Sequence, residues 1–484
     1  VTRAVVVGSG PNGLAAGLTL AAAGVEVTVY EGADVAGGGT RSAELTLPGL
    51  IHDECSGFHP FAAASQFGRR FDLQAAGVRW SQPPVQFAHP LDSGRGASVV
   101  RSVEETAQTL GADARRYEAF FGPVVRRFDT IAEEFLQPIL HVPRHPLHLA
   151  QLGLRSPAPA AVTAQLFRTA EGRGLWAGVA AHGFTKFSVP FSSAIGTSLG
   201  AAAHRYGWPV AVGGSGTIAQ ALVGLIEAHG GRVETGRFVG DVRDLGDADI
   251  VMLDTSPDVA ARIAAGVLPD RTVRAYRRFK RGPGAFQLAL AVEGGIPWAY
   301  EPARRAGTVH VSGSYEETAR SERQVAKGQM PERPFILLGQ QHVADPGRGQ
   351  DGIVPIDCYA HVPAGWTGDA TEAILRQIER FAPGFRDRVL KISPRSPRQI
   401  SVDNPNFAGG DIVTGLKTPK QMLLGPRLAV NPYETGADGV YLCSAAVPPG
   451  PGAHGVSGYL AAQRALRALP ADAVRTEPSP QTLR

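Results

Sequence analysis

The spacing of apolar and polar residues changes period three times within the first forty positions. Residues 4–7 form an unbroken apolar run, which predicts a buried strand. Residues 14–23 are rich in alanine and leucine, which lose little freedom in a helix, and Gly24 supplies the stop. Residues 25–30 (VEVTVY) alternate, which predicts a second strand ending at Glu31. Further on, residues 107–136 predict helix broken at Pro123, and 160–172, 174–181, 218–229, 370–381 and 459–468 predict more helices. Runs at 45–50, 250–253, 287–292, 308–312, 335–340, 356–361 and 439–443 predict strands. The class is α/β, with a mixed sheet and a helical stretch inserted into a parallel one. The expected boundaries are 1–80, 210–300 and 430–484 for a discontinuous ligand-binding domain, and 81–209 with 301–429 for a substrate domain with a helical lid.

Between the first strand and the first helix stands Gly8-Ser9-Gly10-Pro11-Asn12-Gly13. Gly8 permits the tight turn, Gly10 lets backbone approach a pyrophosphate, and Gly13 lets helix and strand pack closely. The helix start offers free N–H groups and a positive dipole end to phosphates. Glu31 follows Gly13 by 18 residues, near the spacing of a carboxylate that accepts ribose hydroxyls. A bare glycine pattern arises by chance in a chain with 59 glycines, but strand, helix and terminal acid together predict a dinucleotide site.

A second turn, Ala36-Gly37-Gly38-Gly39-Thr40-Arg41, places a guanidinium near that pyrophosphate. The stretch GSGPNGLAAG…VYEGADVAGGGTRS resembles the glutathione-reductase-2 flavoprotein superfamily. Later segments, YRRFKRGPGAFQLALAVEGGIPW and NPNFAGGDI, resemble its phytoene-desaturase-related NAD(P)/FAD-dependent oxidoreductases, in particular the pyridine nucleotide-disulphide oxidoreductase domain-containing subfamily. The resemblance implies a Rossmann-like FAD-binding domain with FAD as cofactor. By it, the backbone at Val239 holds the adenine, and the start of the last helix, at Gly455 and Val456, supports the flavin. Many superfamily members have Gly-Asp where Ser444-Ala445 stand here. Thr255 lies in a turn at the carboxyl end of a strand, where ligands sit in open α/β sheets.

Composition narrows the classes. The 48 basic and 44 acidic residues nearly balance, so nothing calls for nucleic acid. The three cysteines are far apart, which disfavours a redox dithiol or zinc site and fits a reducing, cytoplasmic compartment; no metal constellation is present. No apolar run reaches membrane-span length, and the first strand begins almost at Val1, leaving no room for a leader in this sequence. The proline-punctuated stretch 135–147 mixes apolar and basic residues and reads as a substrate lid, a peripheral membrane contact or a plain connector.

Three histidines are catalytic candidates: His59, held extended by Pro60; His182, in an apolar region; and His454, in the glycine-rich turn before the last helix. The resemblance implies dehydrogenation of a small lipophilic or natural-product substrate, with hydride passing to flavin N5 and onward to O₂, a quinone or a partner protein. Amine oxidation, isomerisation or cyclisation without net oxidation, and a non-enzymatic lipid-escort role are the alternatives.

Overall fold

The computed structural model describes residues 2–62, 65–138 and 141–470. Parts of the 135–147 stretch and the tail beyond residue 470 lie outside these. Two sheets organise the chain. The first has five parallel strands: β1 (Arg3–Val7), β2 (Glu26–Tyr30), β3 (Arg232–Glu234), β4 (Ile250–Leu253) and β5 (Val440–Leu442), in the order β5-β4-β1-β2-β3. Parallel pairing buries both faces, which is why β1 reads as continuous apolar sequence rather than as an alternation.

Three helices cover this sheet: α1 (Pro11–Ala22), α2 (Gly216–Ala228) and α3 (Val456–Ala468). Pro11 sits in the first turn of α1, where its missing N–H costs nothing, and Gly24 beyond the end takes φ +82°. Helices α1 and α3 touch backbone to backbone. A Cβ on Gly458 would lie 1.8 Å from the Asn12 carbonyl oxygen, so only glycine fits that crossing.

The second sheet is mixed and seven-stranded, with its two longest strands, Gly284–Glu293 and Ile353–Val362, paired antiparallel and Ala306–Val311 pairing parallel to Val85–Pro90. Gly284–Glu293 falls within the 210–300 stretch expected in the first domain, yet it is a strand of the second sheet. Residues 45–50 form no strand; the short pair Ser42–Ala43 and His52–Asp53 flanks them.

Among the helices between residues 103 and 205, Val103–Thr109 and Ala170–Ala181 pack on the second sheet. Pro123 does not break its helix, which runs Ala114–Arg126 and ends at Arg127. The carbonyl of Ala119, four residues before the proline, accepts Arg155 Nη2 at 3.4 Å, and Phe120 O accepts Arg155 Nε at 3.1 Å. A side chain thus supplies the donor that the proline lacks. No described helix is long and apolar enough to cross a membrane.

Candidate active site

The cradle forms where β1, β2 and β4 end together. Gly8 takes φ +98°, and a Cβ on Gly13 would lie 2.0 Å from the Gly8 carbonyl oxygen, so the turn closes only with glycine at both places. Ser9, between the first two glycines, joins three segments. Its N–H and Oγ donate to Glu31 Oε2 at 3.0 and 2.6 Å, while its carbonyl and Oγ accept Gly37 N–H at 3.0 and 3.2 Å. Glu31 Oε1 accepts the Ala33 N–H at 2.9 Å. The arginine turn therefore lies directly on the glycine turn, and a Cβ on Gly38 would reach 2.9 Å from Gly10 Cα. Val239 is buried near the same end, beyond Arg237, whose N–H bonds Glu31 O at 2.7 Å.

The donor set fits a dinucleotide. Arg41 Nε, Asn12 Oδ1 and Thr255 Oγ1 are buried with no partner, and all three stand on the turns that make the cradle. Arg41 Nη2 meets Glu54 at 3.0 Å. Ahead of α3, Gly455 takes φ +67°, Val456 is buried, and Ser444 Oγ accepts Ala446 N–H at 3.3 Å.

Across the arginine turn lies a small, partly open cavity between that turn and the second sheet. Gly38, Arg41, Glu54 and Cys55 line one side; Gln287, Arg395, Ile400 and Phe407 are among those lining the other. Arg395 is held by Asp403 at 2.6 Å and by Gln287 Oε1 at 3.2 Å. A Cβ on Gly39 would come within 3.4 Å of the Phe407 ring, so that ring lies flush against the turn. Burial pushes the Cys55 thiol up to about 11, so it remains protonated at neutral pH.

The three candidate histidines are not among the residues lining this cavity. His59 Nε2 lies 2.8 Å from Ser215 Oγ, and burial pushes its imidazole down to about 4. His182 Nε2 lies 2.8 Å from His310 Nε2 within the second domain, and burial lowers it to about 3. His454 Nδ1 accepts the Val456 N–H at 3.1 Å at the start of α3, with burial lowering it to about 4. All three rings are neutral at pH 7. Ser9, Gln287, Arg395 and Phe407 escaped the sequence reading. Ser9 stood inside a recognised motif; for the others only the topology of the second sheet reveals their place.

The strand order, the glycine turn and the carboxylate following β2 define a Rossmann-like domain of the dinucleotide-binding class. Residues 6–74 match the family model described as an NAD(P)-binding Rossmann-like domain. The chain is similar to the rat pyridine nucleotide-disulfide oxidoreductase domain-containing protein 2, at 23% identity over 96% of this chain and 93% of that protein. Among solved structures, an oxidoreductase from Methanosarcina mazei superposes with TM-score 0.62 at 16% identity, covering 96% of this chain and all of that one. Cyclohexylamine oxidase from Brevibacterium oxydans gives TM-score 0.58 at 16% identity, covering 96% and 98%.

Proposed function

We propose that the chain is an FAD-dependent oxidoreductase that desaturates a small lipophilic or natural-product donor. The cavity facing the arginine turn carries this reading. Ile400, Phe407 and Ile412 give it an apolar wall, while its two guanidinium groups, Arg41 and Arg395, are paired with the carboxylates of Glu54 and Asp403. That charge balance gives no net attraction to an ammonium, which sets the cavity apart from one built for a cationic amine. The amine oxidised by the Brevibacterium enzyme of similar fold is therefore the second reading.

FAD would supply hydride acceptance. Glu31 would hold its ribose and Arg41 would lie against its phosphates, exchanging Glu54 for them. Phe407 and Cys55 pack at Gly39, beside the turn that would face those phosphates.

An anaerobic titration tests the proposal. Lipophilic alkane and alkene donors are expected to bleach the long-wavelength flavin band while cyclic amines leave it intact, and the rate of recovery in air separates O₂ from a quinone or protein acceptor. Bleaching by amines alone would overturn desaturation in favour of amine oxidation. A band that no donor bleaches favours isomerisation or cyclisation, and no band after added FAD favours an escort role.

Arg41→Ala is expected to weaken FAD binding roughly 10- to 100-fold, the worth of charge-assisted hydrogen bonds of about 1.5–3 kcal/mol. Quenching of free FAD fluorescence on binding measures it.

A peripheral membrane contact is part of the same proposal. Val142, Leu147 and Leu154 are 92%, 81% and 83% exposed beside Arg144. The variant with aspartate at all three positions should lose co-sedimentation with anionic vesicles that the parent shows. Equal sedimentation of the two would remove the membrane from the account.

A further inference from the structure

Asp254 directly follows β4, and the dinucleotide fingerprint does not require a carboxylate there. Its Oδ2 accepts the Gly13 N–H at 2.8 Å. That amide belongs to the first turn of α1, whose cap residue Gly10 has no side chain to satisfy it. Asp254 reaches across from the neighbouring strand to do so. The approach is close: a Cβ on Gly10 would lie 2.5 Å from the same oxygen. The carboxyl group therefore packs against the turn that faces the phosphates, and it is 9% exposed.

Among the described residues, its surroundings contain no compensating cation. The α1 turn presents only the N–H groups of Gly10 and Gly13, and β2 presents the Glu31 carboxylate. From β5 comes the Cys443 thiol, which burial, and then Asp254 itself, pushes well above its usual range, so it is neutral. On the helix that follows β4, Asp258 is already paired with Arg281 at 2.6 Å. Burial first, with Glu31 adding to it, raises the Asp254 carboxyl to about 7 against the pull of the two N–H groups. A pyrophosphate brought to the same turn adds negative charge and acts in the same direction as Glu31.

We propose that Asp254 is a positioning residue of the cradle that takes up one proton from solvent as the dinucleotide phosphates arrive, coupling cofactor capture to proton uptake. The neutral carboxyl group keeps one oxygen free to accept the Gly13 N–H, so the turn holds its shape while the like charge disappears. The inference rests on the flavin reading of the site.

The test is a titration of apo-protein with FAD, followed by flavin fluorescence, between about pH 6 and pH 9. The dissociation constant should be flat on the acid side of about 7 and rise above it. The rise should approach tenfold per pH unit, as for a single linked proton. Asp254→Asn, which keeps the acceptor and cannot ionise, should bind at every pH about as tightly as the parent does at the acid end.

Calorimetry of the parent in two buffers of different ionisation enthalpy should show about one proton taken up per FAD on the alkaline side. A flat profile in the parent, an unchanged slope in Asp254→Asn, or no buffer-dependent heat would each overturn the proposal while leaving the flavin site intact. Should the variant not fold, the calorimetry of the parent decides alone. No FAD binding by the parent at any pH would overturn the flavin reading and this inference together.

Discussion

Replacing Arg348 with methionine is expected to remove about 3–5 kcal/mol of stability, the cost of leaving buried carboxylates without their partner. Arg348 is fully buried. Its Nη1 donates to Asp53 at 2.5 Å, its Nε to Asp345 at 3.1 Å and its Nη2 to the Ala211 carbonyl at 2.8 Å. Asp53 also accepts the Ser215 N–H and the Ser42 hydroxyl, each at 2.7 Å. One guanidinium thus ties the hairpin after the arginine turn to the loop that starts α2. Chemical denaturation of parent and variant measures the loss, and a difference below about 1 kcal/mol would show that the network does not join the two.

The same network sets an acid limit. Burial alone would push the Asp53 carboxyl up, but Arg348 and the hydrogen bonds from Ser215 and Ser42 hold it below the usual range. A carboxylate depressed on folding contributes stability above its unfolded value of about 3.9, and that stability is lost as pH falls through the folded value. Acid unfolding of the parent should therefore set in below about pH 4, and in Arg348→Met at a higher pH.

Gly13→Ala is expected to abolish dinucleotide binding. The new methyl group would sit 2.0 Å from the Gly8 carbonyl oxygen and 2.9 Å from Asp254 Oδ2, both inside van der Waals contact. Neither neighbour can retreat, because Gly8 directly follows β1 and its N–H is bonded to Tyr30 O, and Asp254 is bonded to the very residue being changed. The helix must move off the strand, at a cost of about 1–3 kcal/mol or more. The second sheet does not share this contact, so circular dichroism should change little while FAD no longer quenches. Retained binding within about threefold would show that the turn tolerates the displacement.

The cradle was legible because its parts are local. A strand, a turn, a helix and a strand in series each carry their own period, and Glu31 needs only to end β2. Asp254 and Ser9 were visible as residues, but their tasks depend on β4 lying beside β1 and on Gly37 folding back over the turn. His59 drew notice because Pro60 extends the chain there, yet Ser215, distant in sequence, holds its ring. Among the strands that escaped notice, two show why. Val85–Pro90 ends in proline, which argues against a strand. Val389–Arg395 lies at a sheet edge with Leu390 and Lys391 in solvent, so its sequence lacks the alternation of a half-buried strand. The cavity wall was illegible as a whole, because Gln287, Arg395 and Phe407 meet the arginine turn only through the topology of the second sheet.

The order of strands in the first sheet also governs when it can form. β1 and β2 emerge first from the ribosome, but β4, the inner neighbour of β1, follows some 220 residues later, and β5 only near residue 440. Until then one edge of β1 has no parallel partner, and α1 lacks both the Asp254 cap and its contact with α3. A nascent chain halted anywhere before residue 440 carries the complete glycine fingerprint on an unfinished sheet, with apolar strand edges open to other chains. Synthesis of this sheet is therefore a long exposure, closed only by a three-residue strand and one helix.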